Sequence, residues 1–203
     1  MEAREVVRRY VAALQETGVA QGQDLLGEFR LTRKAAQSLG EFSHRAAKSG
    51  WAAALKAGGL ADLAPASPEA AILGLTSAWV KEQGSLEAQV VRAALGKCLR
   101  KVFAGGTALK SRLEVSDVVR SFLAEALCQR LILDLGESLE AAAPGWPAYH
   151  QGLARLEDEL QRAAAVGPEY SPESEQWQGL AGWLWVTEVL ENILKAFRDH
   201  QAP

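Results

Sequence analysis

Residues 118–133 read VVRSFLAEALCQRLIL, and only Arg120, Glu125 and Arg130 in that stretch are charged. A helix that is apolar nearly all round has to be covered on most of its sides. The stretch therefore belongs in the middle of the molecule, with other elements packed around it. Ser111 and Glu114 stand ahead of it at capping-box spacing, and Pro144-Gly145-Trp146-Pro147 follows it. Together these signals predict one central helix over residues 112–143. Within it Ser121, Glu125 and Gln129 recur at four-residue steps and form a narrow polar stripe. A carboxylate there has three readings. Glu125 is a general base or ligand anchor with a raised pKa, the partner of an arginine on a neighbouring helix, or part of a solvated strip.

Outward from this rod, nearly every stretch repeats at helical period. Val6, Val7, Tyr10, Val11 and Leu14 predict an amphipathic helix over residues 2–16. Leu25, Leu26, Phe29, Ala36 and Leu39 open a second helical region, with a break expected at Gly40 and an end at Gly58-Gly59. Ser67-Pro68-Glu69 combines a hydroxyl cap, a proline at the first helical position and an acid in the first turn. Ser85-Leu86-Glu87 starts the next helix, which runs to Gly105-Gly106. Tyr149, Leu153, Leu156 and Leu160 mark another, closed by Gly167-Pro168, and Ser171-Pro172-Glu173 is read as the start of the last. No segment alternates at period two. The fold class that follows is all-α: a single globular bundle of about seven helices around the central one. The whole chain, 1–203, forms one domain, with 1–60 and 67–200 as conceivable sub-lobes.

With 48% hydrophobic and 23% charged residues, the composition is that of an ordinary globular protein rather than a disordered one. Cys98 and Cys128 lie on apolar helical segments and read as buried reduced thiols. The first ten residues mix acids and bases around no apolar segment, and no charge-free run approaches a bilayer span. A cytoplasmic protein without membrane contact is the expectation.

Charge is polarised along the chain. Met1–Arg120 holds 17 Lys/Arg against 12 Asp/Glu, whereas Ser121–Pro203 holds 5 against 13. Such asymmetry bears on partners rather than on fold. Arg92, Lys97, Arg100, Lys101, Lys110 and Arg112 fall in one stretch free of acids, the first four on a helix face opposite the apolar Val91, Leu95, Leu99 and Val102 and the last two in the connection that follows. Arg33, Lys34, Arg45 and Lys48 belong to a second basic stretch, over residues 30–56, interrupted only by Glu41. Side by side, the two would suit a phosphate backbone. Base-stacking aromatics do not interleave with them, so any such binding is indifferent to base sequence. The alternatives are a plain solvated face, or docking of the acidic half of another copy.

Trp177, Trp183 and Trp185 lie within nine residues. On one continuous helix Trp183, Val186, Val189, Leu190, Ile193, Leu194 and Phe197 share the core face. Trp177 and Leu184 fall on the opposite side and Trp185 at its edge. Either another part of the chain covers them, the loop through Trp146 first among candidates, or a partner protein does.

No motif for chemistry is present. The three histidines are far apart, and HExxH, CxxC and G-x-S-x-G are all lacking. The run Gly105–Ser111 lacks the glycine before Lys110 that a phosphate loop requires, and it follows a helix. No catalytic residue, cofactor or metal is expected. The function that follows is a non-catalytic subunit or adaptor of a larger assembly, binding protein partners through Trp177, Leu184 and Trp185. The first alternative is an accessory subunit of a nucleic-acid–protein complex, to which the small helical subunits of CRISPR-type effectors are an analogy of fold alone. The second is an enzyme or small-ligand carrier with a pocket in the bundle. Self-association is compatible with each.

Overall fold

The computed structural model describes residues 5–9, 11–12, 25–104 and 115–198, and the regular elements among these are helices, with no strand. The helical residues 5–9 and 11–12 are α1. There follow α2 (Arg30–Ser49), α3 (Trp51–Ala57), α4 (Pro68–Trp79), α5 (Leu86–Ala104), α6 (Val115–Ala142), α7 (Trp146–Ala165) and α8 (Leu180–Arg198). Short 3-10 turns cover Leu25–Phe29, Ala61–Leu63 and Ser174–Gln176. No helix among the described residues is long and apolar enough to cross a membrane.

The central position expected of the apolar stretch is observed: α6 packs against α2, α5, α7 and α8. Val119, Phe122, Leu123, Ala124, Leu127 and Leu131 are all buried along it. Full burial of each larger side chain contributes about 1.5–3 kcal/mol, so this helix organises the core. It joins Val91, Leu95 and Leu99 of α5 and Leu156 and Leu160 of α7 in one cluster.

Two hydroxyl caps form as the sequence predicts. Ser67 Oγ accepts from the Ala70 N–H at 3.3 Å, and Ser85 Oγ from the Ala88 N–H at 3.1 Å. The paired signals at Gly105-Gly106 and at Ser111 and Glu114 lie outside the described residues.

Gly40 does not break α2, which runs through it to Gly50, where φ is +82°. The glycine is there for packing. A Cβ at Gly40 would sit 2.4 Å from two ring carbons of Trp177, so only a bare backbone lets the indole lie flat on the helix. Ser171-Pro172-Glu173 does not start α8 either. Glu173 and Gln176 close a capping box around a 3-10 turn, and α8 begins only at Leu180. The turn between them is held by Gln37 of α2, whose Nε2 donates to Trp177 O at 2.7 Å and Gly179 O at 3.1 Å. A Cβ at Gly182 would meet the Trp177 carbonyl at 2.1 Å, so the chain folds back tightly over the start of α8.

Candidate functional site

The turn at 177–179 changes what the last helix presents. Trp177 is not on α8, and its side chain enters the core between Gly40 of α2 and Trp185, whose ring it meets edge-on at 5.2 Å. Trp177 and Trp185 are both 0% exposed. The expectation that they form a partner-binding surface is thereby corrected. The cover is intramolecular, yet it is not the loop through Trp146. The Trp185 Nε1–H donates to Tyr170 O at 2.6 Å, and the Arg120 guanidinium stands 5.5 Å above its ring. Arg120 is itself fixed by donating to Pro168 O at 2.8 Å. A wheel drawn through residue 177 misplaced Trp177 because the helix phase is broken there, whereas Trp185 keeps its phase within α8 and is covered by Tyr170 and Arg120.

Leu184 stays outside, 53% exposed, and Leu180 one turn earlier is 72% exposed. These two leucines stand at i and i+4 on one face of α8, away from the buried Val186, Val189, Leu190, Ile193 and Leu194. The charged residues Glu188, Glu191 and Lys195 are exposed further along the helix, as expected. Leu180 escaped the sequence reading because the tryptophans around it dominated the apolar signal. Trp146 is exposed at the other end of the hairpin of α6 and α7, stacked on Tyr149 at 5.4 Å with His150 edge-on at 4.4 Å.

The basic residues divide into those committed internally and those that are not. Arg33 is only 7% exposed and does not join an outer cationic face. Its guanidinium lies 4.0 Å over the Trp183 ring and donates to Leu26 O at 2.8 Å, so its stem and charge serve the contact between α2 and α8. Arg45 pairs with Glu41 one turn away, and Glu41 also accepts from Gln178 at 2.8 Å. Lys97 is engaged as described below. Lys34, Lys48, Arg100 and Lys101 are exposed. Lys110 and Arg112 lie outside the described residues. The aromatic residues near the basic stretches are packed inward: Phe42 is buried, and Trp51 stacks on Phe103 at 4.2 Å between α3 and α5.

Glu125 is 2% exposed and lies on the side of α6 that faces α5. Lys97 of α5 bridges two carboxylates, with Nζ 2.7 Å from Glu125 Oε2 and 2.9 Å from Glu157 Oε1 of α7. Gln129 Nε2 donates to the other Glu125 oxygen at 2.9 Å. The three helices are thus pinned by one ammonium. Burial works against the charged Lys97, but the hydrogen bonds it donates to Glu125 and Glu157, with the attraction of their charges, outweigh it and raise its pKa. Of the readings for Glu125, the geometry matches the ion pair with a neighbouring helix, the base being a lysine and not an arginine. Cys98 and Cys128 flank this cluster as free, buried thiols. Burial pushes both up to about 12, which makes them inert at neutral pH. Among the described residues no group of three or more His, Cys, Asp or Glu converges as metal ligands would.

One open cleft of about 370 Å³ lies where α4 ends and α5 begins, lined by Ser77, Val80, Lys81, Gln83 and Arg92. Arg92 is the one residue of this set that the basic stretch pointed to. Lys81 and Gln83 sit in a short connection of mixed charge, Lys81-Glu82-Gln83, that carries no periodic signal.

Residues 26–199, which take in α2 to α8, match the model of the family described as QatB, Qat anti-phage system associated protein QatB. No curated protein and no solved structure matches the chain.

Proposed function

Because the chain belongs to the QatB family of anti-phage system proteins, we propose that it is a non-catalytic subunit of a multi-protein defence assembly, docking a protein partner through the outer face of α8. The observation that carries this reading is the pair Leu180 and Leu184, exposed one helical turn apart on a helix whose other face is fully in the core. Two adjacent leucines facing outward on a rigid element are the kind of anchor that fills a groove on a partner. The rim suits the same role: Glu188 and Glu191 are exposed on α8, in the half of the chain that carries the excess of acids. A partner with basic residues around an apolar groove would complement it.

Association is expected to bury both leucines, each contributing about 1–2 kcal/mol to the contact. The test is co-purification of the chain with the other proteins of its own system, comparing the unaltered chain with a Leu180→Asp and Leu184→Asp double variant. Both side chains are exposed, so the variant should melt as the parent does. Loss of the co-purifying protein with an unchanged melt supports the assignment, and full retention refutes it.

A further inference from the structure

The cleft between α4 and α5 brings two cations together without a carboxylate in its lining. Arg92 is held in place by its own fold: Nη2 donates to Val80 O at 3.0 Å and also to Glu82 O. Those bonds set the guanidinium against the carbonyl end of α4, whose partial negative charge would otherwise repel an anion. They use one nitrogen, and Arg92 Nε and Nη1 make no hydrogen bond among the described residues. Lys81 is exposed, and its ammonium has no partner among the described residues. Ser77 and Gln83 line the same space, and their side chains carry neutral donors. A guanidinium with free donors, an ammonium, a hydroxyl and an amide around about 370 Å³ form a set suited to a phosphate and the sugar attached to it.

The surface continues along α5. Gly96 lies one turn beyond Arg92 and has no side chain, and the Arg100 guanidinium comes within 3.7 Å of where one would begin. Arg92, Gly96 and Arg100 follow at four-residue steps, so the Cα atoms of the two arginines stand about 12 Å apart along the helix, and the Arg100 guanidinium reaches back over the bare backbone at Gly96.

We propose that this cleft is a phosphate-binding site, Lys81 and Arg92 taking the oxyanion and Arg100 extending the cationic track beyond it. The phosphate is that of a free nucleotide or of a nucleic-acid strand, and the two sources separate experimentally. The α8 face and the cleft lie on different elements, so either assignment can fail without the other.

The experiment uses the full chain and two probes: a fluorescein-labelled single-stranded oligonucleotide followed by anisotropy, and ATP followed by calorimetry. Lys81→Glu tests the cleft. Lys101→Glu is the control, the same change of charge at an exposed position of α5 outside the cleft lining. Both variants should melt as the parent does. The expected result is binding of at least one probe that Lys81→Glu weakens about tenfold or more, with a salt slope shallower by about one, while Lys101→Glu has a much smaller effect. Loss of oligonucleotide binding alone identifies a strand, and Arg100→Glu should then weaken it too. Loss of ATP binding alone identifies a nucleotide, and loss of both identifies a site that reads phosphate irrespective of source. Failure of both probes to bind, or equal losses in Lys81→Glu and Lys101→Glu, overturns the proposal.

Discussion

The same substitution at two helical glycines should have opposite effects. Gly40 is interior to α2 and Gly136 interior to α6. Glycine to alanine in a helix interior gains about 1 kcal/mol from backbone entropy and propensity. At Gly136 nothing lies within 4 Å of the added Cβ, so that gain should be realised in full. At Gly40 the Cβ would lie 2.4, 2.4 and 2.7 Å from three carbons of the Trp177 ring, where contact between carbons is comfortable at about 3.5–4.0 Å. The ring has nowhere to go. It is fully buried, Trp185 stands against it, and its backbone carbonyl is held by Gln37. Overpacking of such a site costs about 3 kcal/mol, at the upper end of the usual range, leaving a net loss of about 2 kcal/mol after the propensity gain. For a chain of this size each kcal/mol moves Tm by about 2–4 °C. Gly136→Ala should therefore melt about 2–4 °C higher than the parent, and Gly40→Ala about 4–8 °C lower. Differential scanning calorimetry reads both. A Gly40→Ala protein that melts at or above the parent would show that α2 and Trp177 are not in contact as described, and the account of the break before α8 would fall with it.

Lys97→Ala leaves the buried Glu125 carboxylate with Gln129 as its remaining partner; because the ammonium is partly solvated, the expected loss is about 2–3 kcal/mol, below that for a fully buried pair. Urea unfolding checks it, and a Lys97→Met, Glu125→Leu double variant should recover most of the loss, since no buried charge is left uncompensated and the Glu157 carboxylate that loses its partner is partly solvated. Stability should also fall on the alkaline side. The thiols of Cys98 and Cys128 are held up to about 12 in the fold against 9.0 when free, so the unfolded chain loses those protons first. Between pH 9 and 12 each therefore favours unfolding, by about 1.4 kcal/mol at pH 10. Lys97 has its pKa raised in the fold, so its contribution is complete below 10.5 and is lost as pH rises through the folded value. Chemical unfolding at a series of pH values should show the decline beginning near pH 9, and Cys128→Ala should reduce its slope.

What the sequence disclosed depends on whether a signal is local. The apolar rod, the serine caps and the inward faces of α5 and α8 rest on periodicity and hydrogen bonds within a few residues, and these were legible. Gly40 and the start of α8 were not. Each is decided by a contact between Trp177 and α2, residues far apart along the chain, and nothing near either position encodes it. The phase of a helix can be projected only as far as the helix runs. Three residues of turn at 177–179 were enough to move Trp177 from an expected outer face to the core, and Trp185, at the edge of that face, is covered by Tyr170 and Arg120, which its own helix does not encode.

The charge polarity of the chain meets a similar limit. Basic and acidic halves placed in one compact fold face each other, and part of the asymmetry is used up inside it. Lys97 of the basic half holds Glu125 and Glu157 of the acidic half, and Arg130 lies 3.8 Å from Glu28 in the reverse sense. Arg33 is spent on Trp183 and Leu26. A count of bases along the sequence therefore overstates the charge that can meet an external anion. What matters is the remainder, which includes Arg30, Lys34, Lys48, Lys56, Lys81, Arg100 and Lys101, exposed and without an ion-pair partner among the described residues, with Arg92 half spent. Within that remainder, Lys81 and Arg92 line a common cleft and Arg100 continues their line along α5. Hence a salt-dependent interaction of this protein should respond to Lys81 far more than to Arg33, although Arg33 lies in the denser basic run.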